Sequence, residues 1–431
     1  MCGDSLSSQN AKTLNKRVLL WLVFLIALYL NCSAQSDTPT KEEQFWRVGL
    51  ALGKTFEANT DFPDRNLFSD IELSLGKTNI SSDKEWAYRL RYPTTGVSLS
   101  LSDYGNTNEI GQSLSLNPFI ELDVSRKLRF RMGSGIGYFN KQFDLVENPF
   151  NKGITTKLNL SFKALMHYDL YSNNSLTLSS GIGLAHYSNG HNRLPNQGLN
   201  TLLFQLSTAF NAKTIDQKKE RTLQMRDEFE KSKHYFVSIR SGIGQNVLSQ
   251  IFNDKKEVYS FAISAGKIVN KTFKLGIGAH YRFYEHYYDY INNNEALVQD
   301  RFPEFRDAPY RYATNFGVFA SGELLLSHVG LEFDIGLNIY KPAYQIDWIL
   351  NEGFTTSTGG DDPELIVTLG ELDDYFKIKR TIPTRVGLKF YLISNNKIPK
   401  HNLYLGAHIN ANLGQADFTE LSLGYVRRFG L

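Results

Sequence analysis

Apolar and polar residues alternate one for one along most of this chain. Leu128, Phe130, Met132, Ile136 and Tyr138 fall on one face of a segment, with Arg129, Arg131, Gly133, Gly135 and Gly137 on the other. A period of two is the mark of an extended strand, whose successive side chains point to opposite faces. The same alternation runs through residues 158–170, 176–184, 202–210, 329–339 and 403–413. These segments reach about ten residues, against the five or six usual in globular sheets. Their polar faces carry Lys, Arg, Glu and Asp. A soluble sandwich would also alternate, so the pattern predicts strands without fixing what lies outside them.

Connection lengths add an orientation. Short links at 125–127, 171–175 and 327–328 alternate with long ones at 143–155, 285–310 and 348–380. In an outer-membrane barrel the short turns face the periplasm and the long loops face outward. One interruption, KTIDQKKERTLQMRDEFEKSK at 213–233, is polar, charged and helix-prone, and falls on the short-turn side. It divides the chain into units 45–212 and 234–431. The tetrapeptide SGIG recurs at 134–137, 180–183 and 241–244, a weak sign of repeated hairpins. The expected fold is all-β: an antiparallel transmembrane β-barrel of about sixteen strands in two eight-strand units. One wide barrel and two small barrels in tandem both fit. Glycines on the polar faces lean toward narrow barrels, where inward side chains have little room.

Composition sharpens this. Among 431 residues, 47 Lys and Arg stand against 44 Asp and Glu, a net charge of +3, so a nucleic-acid partner bound by a strong basic field is not expected. The 29 Phe, 23 Tyr and 4 Trp suit lipid contact and interfacial girdles. The longest apolar run, 18–30, is shorter than the roughly 18 residues a membrane-spanning helix needs. Lys12, Lys16 and Arg17 precede it and Cys32-Ser33-Ala34 follows, so residues 1–34 read as a secretory signal peptide cleaved after Ala34. Both cysteines, Cys2 and Cys32, lie within it, leaving no disulfide or cysteine-ligated metal for the exported chain. Export without disulfides, long strands and abundant aromatics together favour the membrane barrel over the sandwich.

One segment carries candidate chemistry: HYSNGHNRLPNQGLN, residues 186–200. Continuing the phase in which Leu178, Ile182 and Leu184 face lipid puts His186 and Ser188 on the lipid side. Leu202, Phe204 and Leu206 set the phase of the next strand, and Asn200 shares it. A His, a Ser and an Asn thus converge on the outer wall of a hairpin at its extracellular end. Polar side chains are costly beside acyl chains. A His next to a Ser can serve as base for a nucleophilic hydroxyl while a third polar group orients the ring. The same residues would also suit a headgroup interface, and geometry alone leaves both readings open.

The segment resembles the motif of PagL-type lipid A 3-O-deacylases and, with DYGN at 103–106 and NPFN at 148–151, exported bacterial acyloxyacyl hydrolases. These are outer-membrane β-barrel esterases with a pattern of H-x-S-N, then P-N-x-G, then an acid. His186-Tyr187-Ser188-Asn189 and Pro195-Asn196-Gln197-Gly198 match it. The resemblance implies Ser188 as nucleophile, His186 as general base and Asn196 as an oxyanion-stabilising amide. A backbone N–H after Asn189 or Gly190 would be a second donor. The third catalytic position falls on Asn200, where the family has Glu. The resemblance covers the first unit only. It implies hydrolysis of an ester-linked acyl chain of lipid A, or another outer-leaflet lipid, in the bacterial outer membrane, without metal or other cofactor. The rival class is a non-enzymatic channel or surface-binding barrel. The second unit has no H-x-S-N counterpart and is open to a binding or dimerising role, including a homodimer.

Other constellations are weaker. EHYYDY at 285–290 places a His between carboxylates but reads as part of an interfacial aromatic belt. His191 reads as an exposed loop residue, and GGDDPE at 359–364 as a solvated acidic loop rather than a Ca²⁺ site. Lumenal Glu121, Arg129, Arg131, Lys163 and Asp169 would pair and plug a narrow barrel.

Overall fold

The computed structural model describes residues 44–430 apart from 174, 212–214, 353 and 358–364. Residues 1–34, expected to be a signal peptide, with Cys2 and Cys32, and the acidic stretch 359–364 fall outside the described residues.

Two closed barrels of eight antiparallel strands follow one another. The first contains β1 (Gln44–Thr55), β2 (Phe68–Thr78), β3 (Thr94–Asp103), β4 (Gln112–Asp123), β5 (Leu128–Phe139), β6 (Leu158–Ser172), β7 (Leu176–Ser188) and β8 (Leu199–Phe210). It closes where β1 pairs β8, from Trp46 opposite Phe210 to Thr55 opposite Thr201. The second contains β9 (Lys233–Asn246), β10 (Lys256–Val269), β11 (Phe273–Tyr284), β12 (Thr314–Leu326), β13 (Val329–Tyr340), β16 (Pro383–Tyr391), β17 (His401–Asn412) and β18 (Gln415–Phe429). Pairing of β9 with β18 closes it. A small hairpin, β14 (Phe354–Ser357) with β15 (Leu365–Thr368), lies in the loop between β13 and β16. The choice between one wide barrel and two narrow ones is thus settled in favour of two.

Alternation sorts the side chains by face. In β1, Val48, Leu50 and Leu52 are exposed while Arg47 is buried. The outward apolar belt is what acyl chains would cover. Closed barrels satisfy every ladder hydrogen bond, which is why strands can cross a membrane at all. No helix among the described residues is long and apolar enough to cross one.

Eight strands enclose an interior that side chains just fill, and here the filling is ionic. In the first barrel Arg47 meets Glu121 at 2.6 Å, Arg129 meets Glu121 at 2.7 Å, Arg131 meets Glu72 at 2.7 Å and Lys163 meets Asp70 at 3.0 Å. The second repeats the device with different residues: Lys274–Glu323 at 2.9 Å, Arg385–Glu420 at 3.1 Å, and Lys389 bridging Glu323 and Glu332. Arg129 also pairs with Asp169, so all five lumenal charges singled out in the sequence are paired.

Helices decorate the ends. Between β2 and β3 lies α1 (Glu85–Arg89), and between the barrels α2 (Ile215–Gln224). The linker helix folds back on the short-turn end of the first barrel, where Lys218 reaches Asp123 at 3.0 Å. Further along the linker, Arg89 donates to the carbonyls of Phe229 and Glu230.

Over the long-loop end of the second barrel lie α3 (Glu285–Asn292), α4 (Ala296–Arg301), α5 (Pro309–Tyr312), α6 (Tyr344–Asn351) and, near β13 and β17, α7 (Asp374–Thr381). Tyr287, Tyr290, Ile291, Leu297, Val298 and Ile346 bury together with Val258, Tyr284 and Phe418 of the strands. EHYYDY is therefore not a belt. It opens a helix whose 287, 290 and 291 positions form one apolar stripe, and the stripe seals the barrel mouth.

Candidate active site

The β7–β8 hairpin sets the site. His186 lies directly opposite Asn200 in the ladder, and Ser188 lies two residues further along β7 on the same face. Cross-strand partners hold their Cβ atoms about 5 Å apart, close enough for a side-chain hydrogen bond. The His186 Nδ1 atom is 2.8 Å from Asn200 Oδ1, and Nε2 is 3.1 Å from Ser188 Oγ. With Oδ1 as acceptor, Nδ1 carries the proton and donates it to Asn200. Nε2 then has its lone pair toward the Ser188 hydroxyl, which donates to it.

Ser188 is buried where the loop begins. Outward residues lower on β7 are open, Ile182 at 58 % and Leu184 at 52 % exposed, while Ser188 is at 8 %. The loop is tied internally by Asn189: its Oδ1 accepts from Asn192 N–H at 3.1 Å and its Nδ2 donates to Arg193 O at 2.7 Å. The backbone N–H of Asn189 donates to Asn196 Oδ1 at 3.0 Å. That bond fixes the Asn196 amide so that its two N–H donors remain for another acceptor. The Asn189 N–H itself is engaged, which leaves the Gly190 N–H as the next backbone donor along the loop.

Two glycines are dictated by this packing. Gly198 has φ +76°, and a Cβ there would stand 2.8 Å from His186 Cε1. Gly190 has φ +67°, and a Cβ there would stand 2.5 Å from Thr419 Cγ2. Such left-handed backbone favours glycine.

Several supporting residues carried no signal in the hairpin itself. Thr155 Oγ1 donates to Pro195 O, and Gln197 and Gly198 N–H groups donate to the carbonyls of Lys152 and Gly153 at 3.1 Å. The long loop holding them is braced in turn: Asn148 and Asn151 both donate to Glu109 O at 2.8 Å, so NPFN is a loop fastener. In DYGN, Asp103 accepts from Gly105 N–H at 2.8 Å and Tyr104 is buried in the barrel core. His191 is not the exposed loop residue its sequence context predicts. It is 8 % exposed, because Nε2–H donates to Val247 O of the second barrel at 3.1 Å. Among the described residues no cluster of His, Cys, Asp and Glu has a metal-holding arrangement, and EHYYDY is no exception.

Part of the chain is similar to known proteins. Residues 73–209 match the family model described as lipid A 3-O-deacylase (PagL). No curated protein matches the chain. The crystal structure of the outer-membrane enzyme PagL is 18% identical and covers 37% of this chain and 97% of its own, at a TM-score of 0.28. An outer-membrane channel from Pseudomonas putida F1 is 10% identical, covering 91% of this chain and 100% of its own, at a TM-score of 0.18. The translocator domain of the autotransporter NalP from Neisseria meningitidis is 8% identical, covering 96% and 98%, at a TM-score of 0.16. Structural likenesses this low carry nothing about function; the family match contains all of β3 to β7 and ends within β8. The first barrel resembles the PagL type over residues 73–209, less than half of this bacterial outer-membrane β-barrel protein, and the second barrel lies outside the matched region.

Proposed function

We propose that the first barrel hydrolyses an ester-linked acyl chain of lipid A in the outer leaflet, through an acyl-enzyme on Ser188. The observation that carries this is the Asn200–His186–Ser188 relay, with bonds of 2.8 Å and 3.1 Å on the lipid-facing wall at the long-loop end. A nucleophile on the outer wall meets substrate by lateral diffusion, with no passage through the lumen.

The chemistry follows from the tautomer. Ser188 Oγ attacks the ester carbonyl as His186 Nε2 takes its proton. The tetrahedral oxyanion is met by the Asn196 amide N–H and the Gly190 backbone N–H; preorganised donors of this kind are often the largest catalytic term. Collapse breaks the carbon–oxygen bond to the sugar, and His186 returns its proton to the leaving alkoxide. Water, deprotonated by His186, then attacks the acyl-enzyme; the bond between the acyl carbon and Ser188 Oγ breaks, His186 returns the proton to Oγ, and a fatty acid leaves. Asn200 holds the ring and its tautomer throughout. No step calls for a metal.

The rival channel reading has no support in the lumens, which are filled by paired charges. Mass spectrometry of lipid A from cells expressing wild type or Ser188→Ala tests the proposal. Loss of a single acyl chain with wild type alone is expected. Identical lipid A in both would sink it.

A further inference from the structure

The β7–β8 loop is held from two sides, and the division is sharp. Residues 195–198 are fastened to the first barrel's own long loop, through Thr155, Lys152 and Gly153. Residues 190–194 are fastened to the second barrel. Among the described residues, every hydrogen bond that 190–194 make outside their own loop crosses to it. His191 donates to Val247 O at 3.1 Å. The Asn192 amide is 3.3 Å from the Thr419 hydroxyl. Asn253 grips the backbone of Leu194 twice, accepting from its N–H at 2.9 Å and donating to its carbonyl at 2.7 Å. That two-point bond copies a rung of a β-ladder with a side chain, and it fixes both position and rotation of the Leu194 peptide units. Gly190 packs against Thr419 with no room for a methyl group.

The loop so held carries the groups that would meet the oxyanion. Asn196 is two residues beyond Leu194, and Gly190 lies under Thr419. The second barrel is itself braced at this point: Leu248 O accepts from Asn351 at the end of α6 at 2.7 Å, and Leu248 is part of the core that seals the mouth. We infer that the second barrel is an intramolecular clamp for the catalytic loop of the first, with Asn253 as a positioning residue that sets where Asn196 and Gly190 stand relative to Ser188. This rests on the proposed esterase reading. It gives a role to the barrel that lacks the motif. A lone PagL-type barrel would present the 190–194 stretch to solvent and headgroups, whereas here a folded wall supports it. A misplacement of about 1 Å in a catalytic group can lower a rate about a hundredfold, so the clamp acts on turnover more than on lipid binding.

The test uses the full chain in mixed micelles of detergent and lipid A, following fatty-acid release. Asn253→Ala is expected to lower kcat by about ten- to a hundredfold with KM within about twofold, since binding surface is untouched. Asn196→Ala is expected to lower kcat as well. In the double variant the Asn253→Ala effect should shrink to about threefold, the remainder acting through Gly190, because most of it acts through the Asn196 amide. If Asn253→Ala fails to fold, Thr419→Val, which keeps the shape and removes only the hydroxyl, should show a smaller loss with the same non-additivity. Wild-type turnover in Asn253→Ala, or an equal loss with and without Asn196, overturns the clamp. A wild type with no Ser188-dependent release overturns the esterase reading and the clamp with it, so the two failures are told apart.

Discussion

Replacing Asn200 by Asp should make this protein a faster enzyme. The change is isosteric: one amide nitrogen becomes oxygen, and the cross-strand position opposite His186 is kept. In the proposed mechanism Ser188 gives its proton to His186, which becomes an imidazolium, and the group 2.8 Å from its Nδ1 decides how well that charge is tolerated. An amide offers only a dipole. A carboxylate offers a full charge, with charge centres about 4 Å apart, worth ~1 kcal/mol in water and ~4 kcal/mol at an effective dielectric of about 20. At 1.36 kcal/mol per tenfold, that is a rise of about fivefold to about a thousandfold in kcat. His186 is half-buried at the mouth of the site, which places the expectation between these limits. A second gain adds to the first. A carboxylate cannot turn a donor toward Nδ1, whereas a flipped amide would force the proton onto Nε2 and silence the base. The assay is fatty-acid release from lipid A at saturating substrate and neutral pH, with heat-modifiable gel mobility as the control for folding. An Asn200→Asp protein that folds and turns over no faster than wild type refutes the relay as drawn.

Two further predictions probe the surroundings. Gly198→Ala should lower kcat about tenfold or more with the barrel intact, since the methyl would stand 2.8 Å from His186 Cε1 and the backbone is left-handed there; unchanged turnover would mean the ring does not need its place. Burial pushes the His286 pKa down to about 3, against a partly opposing Asp417, with His191 and Lys341 adding to the fall. The unfolded ring titrates near 6.5, so the open state binds more protons below that pH, and stability of the α3 cap drops by up to about 1.4 kcal/mol per unit as pH falls from 6.5 toward 3. Hydrogen exchange in 285–292 should quicken between pH 7.5 and 5 after correction for intrinsic rates, and the effect should vanish in His286→Phe; a pH-independent opening in wild type would contradict it.

Much of this was legible because strands report their faces locally. A residue's parity tells whether it looks at lipid or lumen, so His186, Ser188 and Asn200 could be placed on one wall without knowing where the barrel closes. Closure is another matter. The pairing of β1 with β8, and of β9 with β18, joins residues about as far apart as each unit allows, and no local pattern encodes it. One barrel and two barrels have the same alternation, and only the inward glycines leaned the right way. The cap over the second barrel was hidden for a different reason. Its aromatic content fits a membrane belt, and the 287, 290, 291 stripe is too short a run to stand out beside strands on both sides.

The lumen charges and the loop contacts mark the two limits of such reading. Paired charges in an eight-strand barrel follow from width alone: Glu72, buried between Arg131 and Lys163, has no alternative to pairing once the interior is too narrow for free water. No such rule could have found Asn253, a loop asparagine with nothing in its neighbourhood to distinguish it. Its meaning comes from Leu194, fifty-nine residues earlier in the chain, and from the two hydrogen bonds that join them. A family motif shows which atoms could react. In the proposed clamp, the loop that serves them is held by a second barrel the motif does not mention, which would draw the catalytic unit around both barrels rather than around the matched region 73–209.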